Sequence, residues 1–311
     1  MAEMIHNPVM LNEMLSYLNP KDGGVYVDAT FGAGGYSKAI LEKANCKIYA
    51  IDRDPNVKKI VADLAEKFPG RIEFVFGCFG NIRQLLKDKE VDKIDGLVLD
   101  IGVSSMQLDN AERGFSFKQD GPLDMRMSSV GMTAEDVVNS MKEAELADVI
   151  YEFGGEKKSR QVAKAIVTAR GKNRITTTKQ LADIVRSVVS AGGQKIDPAT
   201  RTFQALRIYI NDELGELLRA LEASENLINL GGRVVVVTFH SLEDGIVKKF
   251  FRDKSGVSES FSRHFIVANE NKPKAQIFSL VNKKVILPSE KEINENVRAR
   301  SAKMRVAERV G

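Results

Sequence analysis

The sequence predicts an α/β protein: a parallel sheet covered by helices and interrupted by an inserted all-helical domain. Three observations lead there. Short apolar runs alternate with helix-period segments over the first hundred residues. Helix patterns without strands follow, and one more apolar run, GGRVVVVTF at Gly231 to Phe239, comes only after them. Continuous apolar strands separated by helices are the pattern of βαβ units buried on both faces.

The elements follow in order. VYVDA at Val25 to Ala29 reads as a strand, with a helix from Tyr36 to Lys43. KIYAID at Lys47 to Asp52 precedes a helix from Pro55 to Phe68, and RIEFVF at Arg71 to Phe76 precedes one from Ile82 to Lys87. DGLVLDIG at Asp95 to Gly102 is the fourth strand. Right-handed crossovers place the C-terminal ends of these strands along one edge.

The rhythm stops near residue 105. MQLDNAERGFSFKQDGPLDMRM, Met106 to Met127, is polar and rich in turn signals. Helices are expected from Thr133, a plausible N-cap, to Met141, and then at Glu145–Phe153, Ser159–Ala169 and Thr178–Ser190. A single long helix is expected from Pro198 to Leu227, with proline as a good first helical residue. After GGRVVVVTF come a helix from Leu242 to Phe251 and two segments, QIFSLV and KKVILP, that resemble a closing hairpin. The expected domains are 1–105 with 212–311 for the sheet, and 106–211 for the insert.

Composition excludes several classes. No run approaches the roughly 18 apolar residues of a membrane helix. The start, MAEMIHNPVML, lacks a basic segment followed by an apolar one, so a cytoplasmic protein without signal peptide is expected. Cys46 and Cys78 have neither metal-ligand nor disulfide spacing and read as small buried hydrophobes. No His/Asp/Glu cluster has metal spacing, so no metal is expected. The net charge is only +4, but Lys157 to Arg207 holds twelve Lys/Arg against Asp183 and Asp197, leaving the remainder acidic. The tail RARSAKMRVAERVG adds five basic residues against one acid. This asymmetry suggests a polyanion-binding face.

The glycine-rich turn after the first strand, DATFGAGGYS, admits several readings. A phosphate-binding P-loop requires a glycine, a lysine and a hydroxyl residue where this chain has Ser37, Lys38 and Ala39. The dinucleotide pattern G-x-G-x-x-G fits Gly32 and Gly34 and fails at Ser37. Asp52, twenty residues after Gly32, can accept hydrogen bonds from both hydroxyls of a ribose, which signals an adenosine without saying what is attached to it. S-adenosylmethionine has no phosphate and needs a backbone that approaches it closely, which glycine permits. An acid on the first strand, here Asp28, suits such a site. A glycine turn with no ligand is the bland alternative.

The decisive stretch is LDIGVSSMQLDNAERGFSFKQDGPLDMRM, Leu99 to Met127. Together with HNPVML, DATFGAGGYS, AIDRDP, PATRTFQALRIYINDELGEL, VVVVTFHSLEDGIVKKFF and the RARSAKMRVAER tail, it resembles the ribosomal RNA small subunit methyltransferase H (MraW-like) family over nearly the whole chain. The resemblance implies a class I, Rossmann-like methyltransferase sheet. It also implies methyl transfer from S-adenosylmethionine to the exocyclic N4 of a cytosine in the decoding region of 16S rRNA. The implied partner is that rRNA or the small ribosomal subunit, with no membrane; a homodimer is left open. The family often has histidine where this chain has Tyr36.

The resemblance carries the cofactor site onto Gly32, Gly34, Gly35 and Tyr36 in the loop, Asp52 on the ribose, Phe79 stacked on adenine, Asp100 and Gln107. Cytosine N4 is a poor nucleophile because its lone pair is delocalised, so an acceptor for an amine proton would help. Asp100 is the candidate acceptor. Ser104 and Ser105 either orient the base or cap the turn, and Asp124 and Arg126 either touch the cytosine or lock their own loop. His240 invites a general-base reading or is held at a helix start, and His6 and His264 rank below it. Lys157, Lys158, Arg160, Arg170, Lys172 and Arg174 are candidate phosphate contacts, while Arg201 and Arg207 can be structural. Two alternatives remain at this point: an NAD-dependent oxidoreductase, or a non-catalytic RNA-binding factor on the same fold.

Overall fold

The computed structural model describes residues 8–128, 130–190, 196–256 and 276–311. Its contacts separate into two compact units, Met1–Gly102 with Leu214–Gly311, and Val103–Glu213.

The two-segment unit is built on one sheet. Its strands are β1 (Val25–Asp28), β2 (Lys47–Asp52), β3 (Ile72–Phe76), β4 (Ile94–Asp100), β5 (Ile228–Thr238), β6 (Phe278–Leu280) and β7 (Lys303–Arg309). They lie in the order β3-β2-β1-β4-β5-β7-β6. The first five are parallel, and β7 runs antiparallel between β5 and β6. This is the Rossmann-like class I sheet. Its order reverses between β1 and β4, and a crevice outside the strand C-termini forms at such a switch point. Asp28 is paired there with Ala50 on one side and Val98 on the other.

The strands are apolar because they are covered. Val27, Ile51, Leu97, Leu99, Val234 and Val236 share one core with Phe250 and Phe251 of the helix Ser241–Lys254. The rings of Phe250, Phe251 and Phe278 pack with centroids 5.9 to 6.2 Å apart. No helix among the described residues is long and apolar enough to cross a membrane.

Two features of the C-terminal segment differ from the expectation. QIFSLV and KKVILP do not pair with each other. β6 from the first, and Ile286 from the second, both pair with β7. The tail is therefore a strand, not a free basic arm: Met304, Val306 and Ala307 are buried. Three of its five basic residues are held within the unit as well. Lys303 and Arg305 lie 3.6 and 2.7 Å from the Asp244 carboxylate, and Arg309 donates to the carbonyls of Glu225 and Ile228.

The other unit, among its described residues, has helices joined by loops and no strand beyond an isolated bridge between Pro122 and Thr177. Ala134–Ser140, Glu143–Gly154, Ser159–Arg170, Thr178–Val188 and Ala199–Asn211 enclose a core that includes Leu123, Met125, Val138, Ile150, Ile166 and Leu206. Thr133 and Thr177 begin their helices with reciprocal side-chain caps from Asp136 and Gln180.

The expected long helix is broken. Ala199–Asn211 ends where Asp212 turns left-handed at φ 50°, and Glu213–Leu227 follows as a separate helix. Aspartate tolerates that conformation better than most residues. On its N-terminal side, Asn211 is locked by accepting from the Met127 N–H and donating to the carbonyls of Met125 and Arg207.

Phe251 lies at the centre of the three-ring cluster and is 1% exposed. Replacing it with alanine should destabilise the sheet unit by about 3–5 kcal/mol in chemical denaturation. A loss below about 1 kcal/mol would show that the cluster does not support the sheet.

Candidate active site

The turn after β1 is organised by a buried acid. Asp28 is 1% exposed, and its carboxylate accepts from the Ser37 hydroxyl at 2.7 Å and from the Thr30 N–H at 3.3 Å. Burial still raises its pKa to about 6, against the lowering effect of those hydrogen bonds. Ser37, the residue that breaks both nucleotide motifs, is thus the partner that a buried Asp28 requires. A short hydroxyl residue in the place of a motif glycine was the only trace of this pairing in the sequence.

The glycines shape the loop. Gly34 is left-handed at φ 74° and caps the helix Gly35–Lys43; a side chain there would strike the Phe31 ring. At Gly35 a Cβ would fall 2.1 Å from Pro8. Asp52 ties this loop to the end of β2. Its carboxylate accepts from the Gly32 N–H at 2.8 Å and from the Asp54 N–H at 2.8 Å. Burial raises its pKa despite those bonds.

Tyr36 is fully committed through its side chain. It is buried, and its hydroxyl donates to the Val9 carbonyl. Burial drives its pKa well above the usual phenol value, so it stays neutral. Only its backbone is left for a ligand, the one kind of contact indifferent to whether this position is tyrosine or histidine. Phe79, half-buried, opens the turn after β3, and the next N–H, of Gly80, donates to Glu216 at 2.6 Å.

Asp100 ends β4. Its N–H donates to Thr30 Oγ1 at 2.7 Å, joining β4 to the DAT turn. Asp100 is half-buried as a residue, yet Oδ1 is enclosed and has no hydrogen-bond partner among the described residues. Burial, reinforced by the carboxylates of Asp28 and Glu243, raises its pKa to about 8. An unpaired acid of this kind is expensive in a resting fold and is a mark of a functional site.

His240 is the N-cap of Ser241–Lys254. Its Nδ1 accepts from the Glu243 N–H at 3.4 Å, and its Nε2 lies 2.8 Å from Glu243 Oε1. The other carboxylate oxygen of Glu243 accepts from the N–H groups of Phe239 and His240. Nδ1 therefore serves the cap, while the buried Nε2, close to Glu243 Oε1, makes no hydrogen bond with a described residue.

The remaining candidates belong to the helical unit. Ser104 caps the short helix Ser105–Asp109 by accepting from the Gln107 N–H, and Gln107 Oε1 accepts from the Ser104 N–H. Arg126 grips Asp124 with two parallel bonds of 2.8 and 2.7 Å, which locks their own loop. Arg170 donates to the Val138 carbonyl, Arg174 pairs with Glu135 at 2.6 Å, and Arg207 pairs with Glu213. Arg201 is 3.9 Å from Glu156 and Arg160 is 3.7 Å from Asp148. Lys158 donates to the Val188 carbonyl, whereas Lys157 and Lys172 are exposed and make no ion pair with a described residue. His6 and His264 lie outside the described residues.

Comparison with known proteins adds the deciding observation. The model of the MraW methylase family matches residues 3–310. The chain belongs to that family. Three relatives carry the name ribosomal RNA small subunit methyltransferase H. The first, from Wolbachia sp. subsp. Drosophila simulans (strain wRi), is 55% identical, covering 99% of this chain and 100% of its own. The second, from Rhodospirillum rubrum, is 53% identical over 98% of this chain and 94% of its own. The third, from Ehrlichia ruminantium (strain Gardel), is 51% identical over 97% and 98%. This MraW family member is accordingly a methyltransferase, and the oxidoreductase reading is not favoured.

The raised pKa of Asp100 has a stability consequence. Its folded value exceeds that of the unfolded chain, so stability falls as pH rises from about 4 to about 8. Asp100→Asn removes that loss. Without ligand, the variant should melt about 5 °C higher than the parent near pH 8.5, with the gap narrowing toward pH 5. Equal melting curves at both pH values would mean that Asp100 is not held protonated in the fold.

Proposed function

We propose that this enzyme transfers the methyl group of S-adenosylmethionine to the exocyclic N4 of a cytosine in the decoding region of 16S rRNA. The single observation that carries the site assignment is the enclosed, unpartnered Oδ1 of Asp100 at the sheet's switch point, in a chain matched by the methylase family from end to end. An enclosed acid oxygen without a partner among the described residues fits a cationic ligand, and a glycine turn lets the backbone approach one closely.

In this reading Gly32, Gly34, Gly35 and the backbone of Tyr36 line the cofactor. Asp52 accepts the ribose hydroxyls while keeping its hold on Gly32, and Phe79 stacks on the adenine. The bound cofactor supplies an electrophilic methyl on a positively charged sulfur. Asp100 accepts a proton from the amine, which releases the nitrogen lone pair from the ring. Holding the amine in line with the bond to be broken supplies much of the remaining acceleration. His240, whose Nδ1 caps the helix, is left to position the start of that helix.

The helical unit is assigned the RNA. Lys157 and Lys172, exposed and without an ion pair to a described residue, are the cations best placed for phosphates; Lys158 and Arg160 are exposed but touch the Val188 carbonyl and Asp148, and Arg170 and Arg174 serve internal partners. Phosphate contacts position the strand, and the target cytosine must leave its stack to expose N4.

Small ribosomal subunits lacking the modification should acquire label from the methyl-labelled cofactor, recovered as N4-methylcytosine. Label on another base, or none, would sink the assignment. Lys157→Ala/Lys158→Ala/Arg160→Ala should weaken RNA binding and reduce the slope of log affinity against log salt by about 2, as loss of three single-strand phosphate contacts requires. An unchanged slope would move the RNA to another surface.

A further inference from the structure

Three carboxylates meet at the C-terminal edge of the sheet: Asp28 at the end of β1, Asp100 at the end of β4 and Glu243 in the helix after β5. Asp28 is satisfied by Ser37 and Thr30. Glu243, 0% exposed, uses one oxygen on two backbone N–H groups, while its Oε1 has no aligned hydrogen bond despite its closeness to His240 Nε2. Asp100 Oδ1 has no hydrogen-bond partner among the described residues.

The charged groups acting on Asp100 are Asp28 and Glu243, both acids. The phenol of Tyr36, from the helix after the glycine loop, is neutral. The described cations beside the end of β5, Lys303 and Arg305, are engaged by Asp244, and the charges that act on Asp100 are both negative. In water-poor surroundings like charges cannot all ionise, and the group with the fewest hydrogen bonds keeps its proton. That group is Asp100.

Resting on the cofactor assignment above, we propose that Asp100 is a cation-gated proton site, which releases its proton when the sulfonium of S-adenosylmethionine binds and takes one from the substrate amine when methyl transfer removes that charge. The gate is electrostatic. The incoming positive charge supplies the missing counter-ion and makes the carboxylate the favoured form, so Asp100 is a base only when donor is bound. In the transfer the N–C bond forms as the C–S bond breaks, with its electron pair left on sulfur. One amine N–H bond breaks, and its proton passes to Asp100. With the sulfur neutral, the two neighbouring acids again favour the protonated form, so the proton is held against return to the product amine. The next donor molecule expels it to solvent, and the cycle releases one proton per methyl group.

The neutral product S-adenosylhomocysteine is the natural control, because it lacks the sulfonium and retains the ammonium and the carboxylate. Calorimetric titration near pH 7, in two buffers of different ionisation enthalpy, counts the protons exchanged on binding. S-adenosylmethionine should release close to one proton per site, and S-adenosylhomocysteine should release close to none. Affinity for the donor should then rise about tenfold between about pH 6 and pH 7, with little change for the product.

Asp100→Asn should abolish the difference in proton count. Glu243→Gln, which removes one neighbouring charge, should move the release to lower pH, and provides the readout if the first variant does not fold. Equal proton counts for the two ligands would overturn the proposal while leaving the cofactor assignment standing. They would indicate that Asp100 answers to the shared ammonium instead. Release persisting in Asp100→Asn would also overturn it. No saturable binding of S-adenosylmethionine would overturn the cofactor assignment and the proposal together.

Discussion

The hydrogen bond from Ser37 to Asp28 is the contact on which the site depends. A carboxylate fully enclosed at the end of a central strand is tolerable only when its oxygens are satisfied. Ser37 does this from the first turn of the following helix, and Thr30 does it from the turn between. Thr30 in turn accepts from the Asp100 N–H, so the same few atoms connect β1, the glycine turn and β4. The backbone continues that stitching beyond the strands, through Ala29 N–H to Val98 and Phe31 N–H to Ile51. The turn after β1 is consequently tied by hydrogen bonds to β1, β2 and β4.

The sheet was legible in the sequence wherever strands read as short apolar runs, even at the edge, where Phe76 of β3 is exposed. β1 to β5 declared themselves as apolar runs, and the helices between them had clear periodicity. β7 did not, because charge drew attention before pattern. Met304 and Val306 alternate with Lys303 and Arg305, a period of two that was visible in the tail but outweighed by its five basic residues. The break at Asp212 was hidden for another reason. No glycine or proline marks it, and the side chains that stabilise it reach to Met125 and Met127, far away in sequence.

The candidate site divides in the same way. Gly34, Asp52 and Asp100 stand at strand ends and in a turn, positions that topology alone makes suspect. The partners that determine their chemistry are long-range: Ser37 for Asp28, Val9 for Tyr36, Glu243 for Asp100. Sequence spacing shows which residues can line an edge, but only the packed fold reveals which polar atoms remain without a partner. In the helical unit the reverse holds. Its basic excess was plain in the sequence, whereas the structure sorts those cations into ones spent on carbonyls and carboxylates and ones turned to solvent.

The interrupted sheet has a bearing on how the chain folds. Ile94 of β4 pairs with Ile228 of β5, although the whole helical unit lies between them in the chain. Closing so long a loop from a random coil carries an entropic penalty, which grows by about 0.6 kcal/mol per doubling of loop length. The intervening helices are rich in local contacts and possess their own core, so they can form before the sheet closes. Once formed, they replace a floppy tether with a compact spacer and shorten the search between β4 and β5. A module assigned to recognise RNA would then also serve the apprenticeship of the fold, as an internal clamp that brings two distant strands within reach.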